Sequence, residues 1–340
     1  MALLYIDGFE SYGTVNATQT DLASKYSLVS GTGISVVPGR NGNGLSFDSS
    51  VARALRQIDT TNDTIIAGFA FYTNNLGSST TYPFYFKNAT SFGVGITVCT
   101  SDGSIGAIRN STALGSSANT GVITVNTWHH IIIKTKCNNS TGTVEIWVDG
   151  VKELDLSGVD TLEGANPAYH NAFQLRRGLN SGNYIFDDLY ICDASGSTNN
   201  DSLGDKVVYT IRPDGDDTTD WTANGGGNHY SEVDEAVFDG DDFITTNTTT
   251  DQDIFTYADL SGTGNIVGVQ VTSDVKETAA GKSYQFKHIE KSTGNTVCSA
   301  NIAVGTTDWD GRVTVFETDP DGDSWTQSAV NATKFGIEAV

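Results

Sequence analysis

The chain has 340 residues, and 19 Lys and Arg against 41 Asp and Glu give it a formal net charge of −22 at pH 7. With 38% hydrophobic and 10% aromatic residues it is too apolar for a disordered chain, and its length suits about two domains with sizeable cores. No cluster of Lys and Arg is present, so neither a phosphate backbone nor an anionic bilayer is an expected ligand: no nucleic acid, no membrane.

Met1 to Ile6 runs directly into Asp7 and Glu10, without a basic segment or the apolar stretch of a secretion signal. The expectation is synthesis in a host cytoplasm and release by assembly or lysis. Residues 18–28 can form a short surface helix with Thr20 or Asp21 near its cap. Everything else reads as short strands broken by Gly, Asn, Ser and Asp. These strands are 64–72, 82–86, 92–98, 129–135 and 143–149, then 186–191, 206–211, 283–289 and 312–317. Such spacing predicts an all-β chain of two-sheet sandwiches or jelly rolls. The small, polar stretch 194–204 reads as a linker between a first domain at 1–193 and a smaller, more acidic β-sandwich at 205–340. The four cysteines, Cys99, Cys137, Cys192 and Cys298, form no Cys-x-x-Cys pair and read as buried free thiols.

Thr127 to Gly150, TWHHIIIKTKCNNSTGTVEIWVDG, is a hairpin: an apolar strand, a polar loop, and a strand ending in an Asp-Gly turn. Alternation puts Val144, Ile146 and Val148 on one face and Glu145, Trp147 and Asp149 on the other. This segment resembles the central hairpin of the concanavalin A-like lectin/glucanase superfamily in its laminin-G-like form. Gly42 to Asp48 resembles an early strand of that fold, and Asp187-Asp188-Leu189-Tyr190 its closing strand, which pairs near the first strand at Leu3 to Phe9. The resemblance implies an N-terminal two-sheet jelly roll and says little about function, because the fold carries lectins, hydrolases and inert modules alike. The passage from Asp187 through Asp216 and the ending from Asp319 also resemble a two-part layout in structural proteins of tailed bacteriophage particles.

Glucanases of this fold need two Glu at a fixed spacing on one strand. Glu145 and Asp149 do not reproduce it. His129 and His130 are adjacent on a strand and point to opposite faces, so they cannot close on one metal. His170, His229 and His288 sit in no nucleophile motif, and Asn224-Gly225-Gly226-Gly227-Asn228 lacks the Lys and helix of a phosphate loop. Asp319, Asp321 and Asp323 alternate in a turn that can offer hard oxygens to calcium, although Gly322 and Val330 break the EF-hand pattern. Asp-rich turns recur at Asp214, Asp216 and Asp217 and at Asp239, Asp241 and Asp242. Trp147, Tyr82, Tyr85, Trp221 and Tyr230 are candidate platforms for a sugar ring, whereas Trp128 reads as structural.

These features lead to a non-enzymatic structural protein of a phage particle, a decoration or appendage on capsid or tail. Its expected partners are other virion proteins and further copies of itself. The alternative is a carbohydrate-binding, lectin-like adhesin for host surface glycans, with calcium as the one cofactor to consider. A glycosidase built on Glu145 is a third reading.

Overall fold

Strand Gly142–Val148 alternates strictly between buried and part-exposed residues, turning Val144, Ile146 and Val148 inward and Glu145 and Trp147 outward. One apolar face per strand needs a second layer to cover it. The computed structural model, which describes residues 2–12, 19–78, 80–88, 91–99, 101–178, 182–238, 240–278, 284–305 and 307–340, supplies that layer. The chain divides into two compact units, Met1–Val208 and Tyr209–Val340.

The first unit is an antiparallel sandwich. Its eight-stranded sheet runs Val151–Val159, Gly142–Val148, Trp128–Lys136, Thr64–Thr73, Tyr184–Asp193, Asn43–Phe47, Ile34–Pro38, with Leu3–Asp7 also paired to Tyr184–Asp193. Its seven-stranded sheet runs Thr112–Ser116, Ile105–Arg109, Ser91–Val98, Thr81–Asn88, Ala172–Arg176, Arg53–Gln57, Leu28–Ser30. Aromatic rings join the layers: Phe69 of one sheet stacks on Phe84 of the other at 5.2 Å, and Phe84 stacks in turn on Phe173 of its own sheet at 6.2 Å. The predicted jelly-roll sandwich is therefore present, with the closing strand beside the first as the resemblance implies. The short helix is Gln19–Lys25; the side chains of Thr20 and Asp21 lie outside the described residues.

The outer face of the eight-stranded sheet is clad by its own chain. Gly68 leaves room for the Tyr190 ring, whose Cζ would lie 2.2 Å from a Cβ there. Tyr190 donates to the Gly204 carbonyl at 3.3 Å, His130 stacks on Tyr190 at 6.4 Å, and Lys134 donates to Asp201 at 2.8 Å. Segment 201–208 thus lies over the sheet, and Ile66 and Ala70 are buried on a face that would otherwise meet water. His130, which alternation would expose, is buried for the same reason. The expected strand 206–211 does not form: the Val208 amide is spent on Asp188 Oδ1 at 2.8 Å, away from any ladder.

In the second unit the largest sheet runs Pro213–Thr219, Gln252–Tyr257, Lys334–Ala339, Tyr284–Lys291, Thr296–Cys298, with Ile302–Val304 also paired to Tyr284–Lys291. Val269–Val275 and Asp310–Phe316 form a separate ladder. Phe316, Trp325, Val330 and Phe335 make the core between them, with Val269, Val271 and Tyr257 packed against it. Helix Gln327–Ala332, too short to show a period in sequence, supplies Val330; Thr326 caps it by accepting from the Ala329 amide at 3.0 Å.

His288 is fully buried here, its Nε2 2.8 Å from Ser273 Oγ and its Nδ1 2.8 Å from Thr314 Oγ1, and burial lowers its pKa to about 3. Between about pH 6.5 and 3 the unfolded chain therefore takes up a proton that the folded one refuses. Stability from this group is complete above pH 6.5 and is lost as pH falls. Relative to the wild type, His288→Gln is expected to flatten the acid limb of the second unit's melting temperature over that window. Parallel curves in a pH series of thermal melts would refute this. The thiols are free among the described residues, Cys137 and Cys192 buried as expected but Cys99 only part-buried and Cys298 exposed.

Candidate functional site

The outer face of the seven-stranded sheet carries a different chemistry. On strand Thr81–Asn88, Phe84 and Phe86 point into the core, so Tyr85 and Lys87 point out. On the neighbouring Ala172–Arg176, Phe173 and Leu175 fill the core and Gln174 and Arg176 face outward, with Arg53 in register opposite Arg176. A register shift between Tyr85 and Lys87 brings Phe92 of Ser91–Val98 opposite Lys87. Gly95 is required by close approach: a Cβ there would lie 2.5 Å from Tyr85 Cδ1, so the Tyr85 ring lies on bare backbone.

Three aromatic rings and three cations thus share one patch. Tyr85 lies 6.2 Å from Tyr82 and 4.8 Å from Phe92 between ring centroids. The Lys87 ammonium sits 3.9 Å from the Phe92 centroid and donates to Gln174 Oε1 at 3.2 Å. The Arg176 guanidinium stands 6.0 Å from the Tyr85 ring and 5.9 Å from Phe92. Arg53 donates through Nε to Ser30 Oγ at 2.8 Å. Burial, reinforced by Arg53 and Arg176, lowers Lys87 to about 8, and burial raises Tyr85 to about 12. Among the described residues, no carboxylate forms an ion pair with Arg53, Lys87 or Arg176. Gln174 Nε2 is buried without a hydrogen-bond partner.

Of the five predicted platforms, the structure brings Tyr82 and Tyr85 together. Trp147 lies on the opposite side of the sandwich, beneath the Lys152 ammonium at 4.9 Å. Trp221 and Tyr230 are half-buried in the second unit; the Trp221 indole donates to the Asp251 carbonyl at 3.1 Å. Arg53, Lys87, Phe92, Gln174 and Arg176 belong to no motif; Lys87, Gln174 and Arg176 carry one sequence signal, polar residues alternating with buried apolar ones in YPFYFKN and AFQLR, and Arg53 and Phe92 carry none.

The remaining candidates have structural duties. Glu145 pairs with Lys152, whereas Asp149, in a turn at φ +50°, accepts from His129 Nδ1 at 2.7 Å and the His130 amide at 2.8 Å. These two carboxylates serve separate partners, which leaves a glycosidase on Glu145 without its pair. Asp253 holds His229 Nδ1 at 2.6 Å and the Trp221 amide at 2.9 Å. In the Asp-rich turn, Asp319 Oδ1 accepts from the Asp321 and Asp323 amides at 3.0 and 2.9 Å, and Asp321 Oδ1 accepts from Ser292 Oγ at 3.1 Å. Among the described residues no three His, Cys, Asp or Glu side chains converge to hold a metal. Asp239 lies outside them. No helix among them is long and apolar enough to cross a membrane.

No protein-family profile and no curated protein matches this chain. Solved structures do. The alginate lyase Aly36B aligns at TM-score 0.44 and 13% identity over 56% of this chain and 96% of its own. Domain 4 of AbnA, an extracellular arabinanase from Geobacillus stearothermophilus in complex with arabinotriose, aligns at 0.35 and 15% over 48% and 76%. A sialidase aligns at 0.40 and 10% over 56% of this chain and 18% of its own. The expectations of a structural phage protein and of a protein without enzymatic activity are corrected by these comparisons. The matched structures include polysaccharide lyases, a sialidase, a domain of an arabinanase and the binding domain of Paraclostridial Mosquitocidal Protein 1.

Proposed function

We propose that the outer face of the seven-stranded sheet binds carbohydrate. The observation that carries this reading is the joint presence of the part-exposed rings of Tyr82 and Phe92 and the Tyr85 ring between them with the donors of Lys87, Gln174 and Arg176 on the outer side of that sheet. Sugar rings offer C–H faces that stack on aromatics and hydroxyls that accept from fixed donors, and this patch presents both. The opposite side cannot serve equally, because segment 201–208 occupies part of it and Lys152 covers Trp147.

Titration calorimetry against an oligosaccharide panel tests the reading. Tyr82→Ala is expected to weaken binding about 5- to 10-fold, in line with the ~1 kcal/mol of one stacked ring, while Trp147→Ala leaves it unchanged. Equal losses in both variants, or none in Tyr82→Ala, would reject this face.

A further inference from the structure

We propose, resting on the saccharide reading, that the sugar bound at Tyr82, Tyr85 and Phe92 is an acid whose carboxylate is received by Arg53, Lys87, Gln174 and Arg176. Three cations converge on this face in a chain whose acids outnumber its bases 41 to 19, and no described carboxylate pairs with any of them. Mutual repulsion opposes such a grouping, and an anion seated among them relieves it. Several cations elsewhere in the first unit are paired, Arg40 with Asp188, Arg109 with Asp160 and Lys134 with Asp201. Arg53, Lys87 and Arg176 differ in lying on three neighbouring strands of one sheet face.

Gln174 points to the same class of ligand by an independent route. Its Oε1 is taken by the Lys87 ammonium, which can only donate, so the amide is fixed with its NH2 group as a donor. That Nε2 is buried and has no acceptor. A buried donor left unmade is costly, and a carboxylate oxygen, which only accepts, completes it better than a hydroxyl that must also place its own proton. The aromatic rings select for the sugar that bears the acid; the donors select for the acid.

A charged ligand here also changes Lys87. Held to about 8, the ammonium is partly deprotonated near pH 8 in the free protein, and an adjacent carboxylate restores the proton. Binding of a uronate there should therefore take up protons, and binding of a neutral sugar none.

Calorimetry on the full chain, with a panel of oligouronates and their methyl esters, tests this without depending on one variant. At pH 7 and low salt the free acid is expected to bind at least about 10-fold tighter than its ester, with heats at pH 8 that vary with buffer ionisation as proton uptake requires. Arg176→Gln and Arg53→Gln, verified as folded by their melting curves, should each remove most of that preference. Acid and ester binding alike, with Tyr82→Ala still weakening both, would overturn the carboxylate while leaving the saccharide reading intact. Tighter binding of a sulfated oligosaccharide than of any uronate would also overturn it. No binding of any saccharide would overturn both.

Discussion

Asp7→Ala is expected to lower the melting temperature of the first unit by about 8–16 °C, at ~2–4 °C per kcal/mol for a unit of this size, while the second unit melts as before. The reason is one carboxylate oxygen. Asp7 Oδ2 accepts from the hydroxyls of Tyr5, Tyr12 and Tyr26 at 2.7, 2.8 and 3.0 Å, and Oδ1 accepts from the Phe9 amide at 2.9 Å. All three rings are buried, and burial beside the Asp7 charge holds each phenol far above its ordinary pKa. Phe9, at φ +59°, depends on its amide contact to hold a backbone conformation that L residues disfavour. Bonds to a charged acceptor contribute about 1.5–3 kcal/mol each, and truncation strands the hydroxyls where water does not reach them. A total near 4 kcal/mol allows for their sharing one oxygen. Asp7→Asn, which keeps an acceptor and loses the charge, should fall between. Calorimetry resolves the two units, and an unshifted first transition in Asp7→Ala would refute the account.

Arg40→Ala should be as damaging, and it should loosen one named segment. The guanidinium donates to Asp188 Oδ2 at 2.8 Å, Asp205 Oδ1 at 2.8 Å and the Lys206 carbonyl at 2.7 Å. Asp188 is wholly buried, and its other oxygen takes the Val208 amide. Its neighbour Asp187 accepts from the Arg40 and Asn41 amides at 2.7 and 3.0 Å, and burial together with Asp188 raises it to about 7. Removing the arginine leaves a buried charge without its partner, which costs about 3–5 kcal/mol. Because the folded pKa of Asp187 lies above its unfolded value, its ionisation opposes folding at high pH. That burden is relieved as pH falls from about 7 towards 3.8. The variant should therefore be weakest above pH 7. Trypsin should cut after Lys206 in the native variant and spare the wild type; equal resistance at pH 8 would show that the segment is held by something other than Arg40.

Much of this fold is legible from period-2 patterning. Thr64–Thr73, Ser91–Val98 and the hairpin Trp128–Val148 stand within a residue or two of where alternation and Asp-Gly turns put them. Lys206–Ile211 misleads because KVVYTI has the composition of a strand, whereas its backbone is claimed by a carboxylate and an arginine from elsewhere in the chain. His130 misleads for a related reason, since alternation assigns a face and cannot foresee that the chain will return to cover it. The site was half visible. Tyr82 and Tyr85 are close in sequence and share a platform, but Arg53, Lys87 and Arg176 come from three strands that only the sheet order places side by side. Charge arithmetic works against seeing them, because a net −22 describes the average surface and hides a local excess of the opposite sign.

The cladding by segment 201–208 also sets a stoichiometry. A bare two-sheet sandwich has two broad faces on which a long polymer could lie, and could join two polymer chains. Here Tyr190, His130 and Lys134 are engaged with the returning chain, so that part of the eight-stranded sheet is closed to a polymer. Under the saccharide reading each copy of the first unit is monovalent towards a polymer. It would coat a polysaccharide without cross-linking it, and avidity would have to come from repeating the chain.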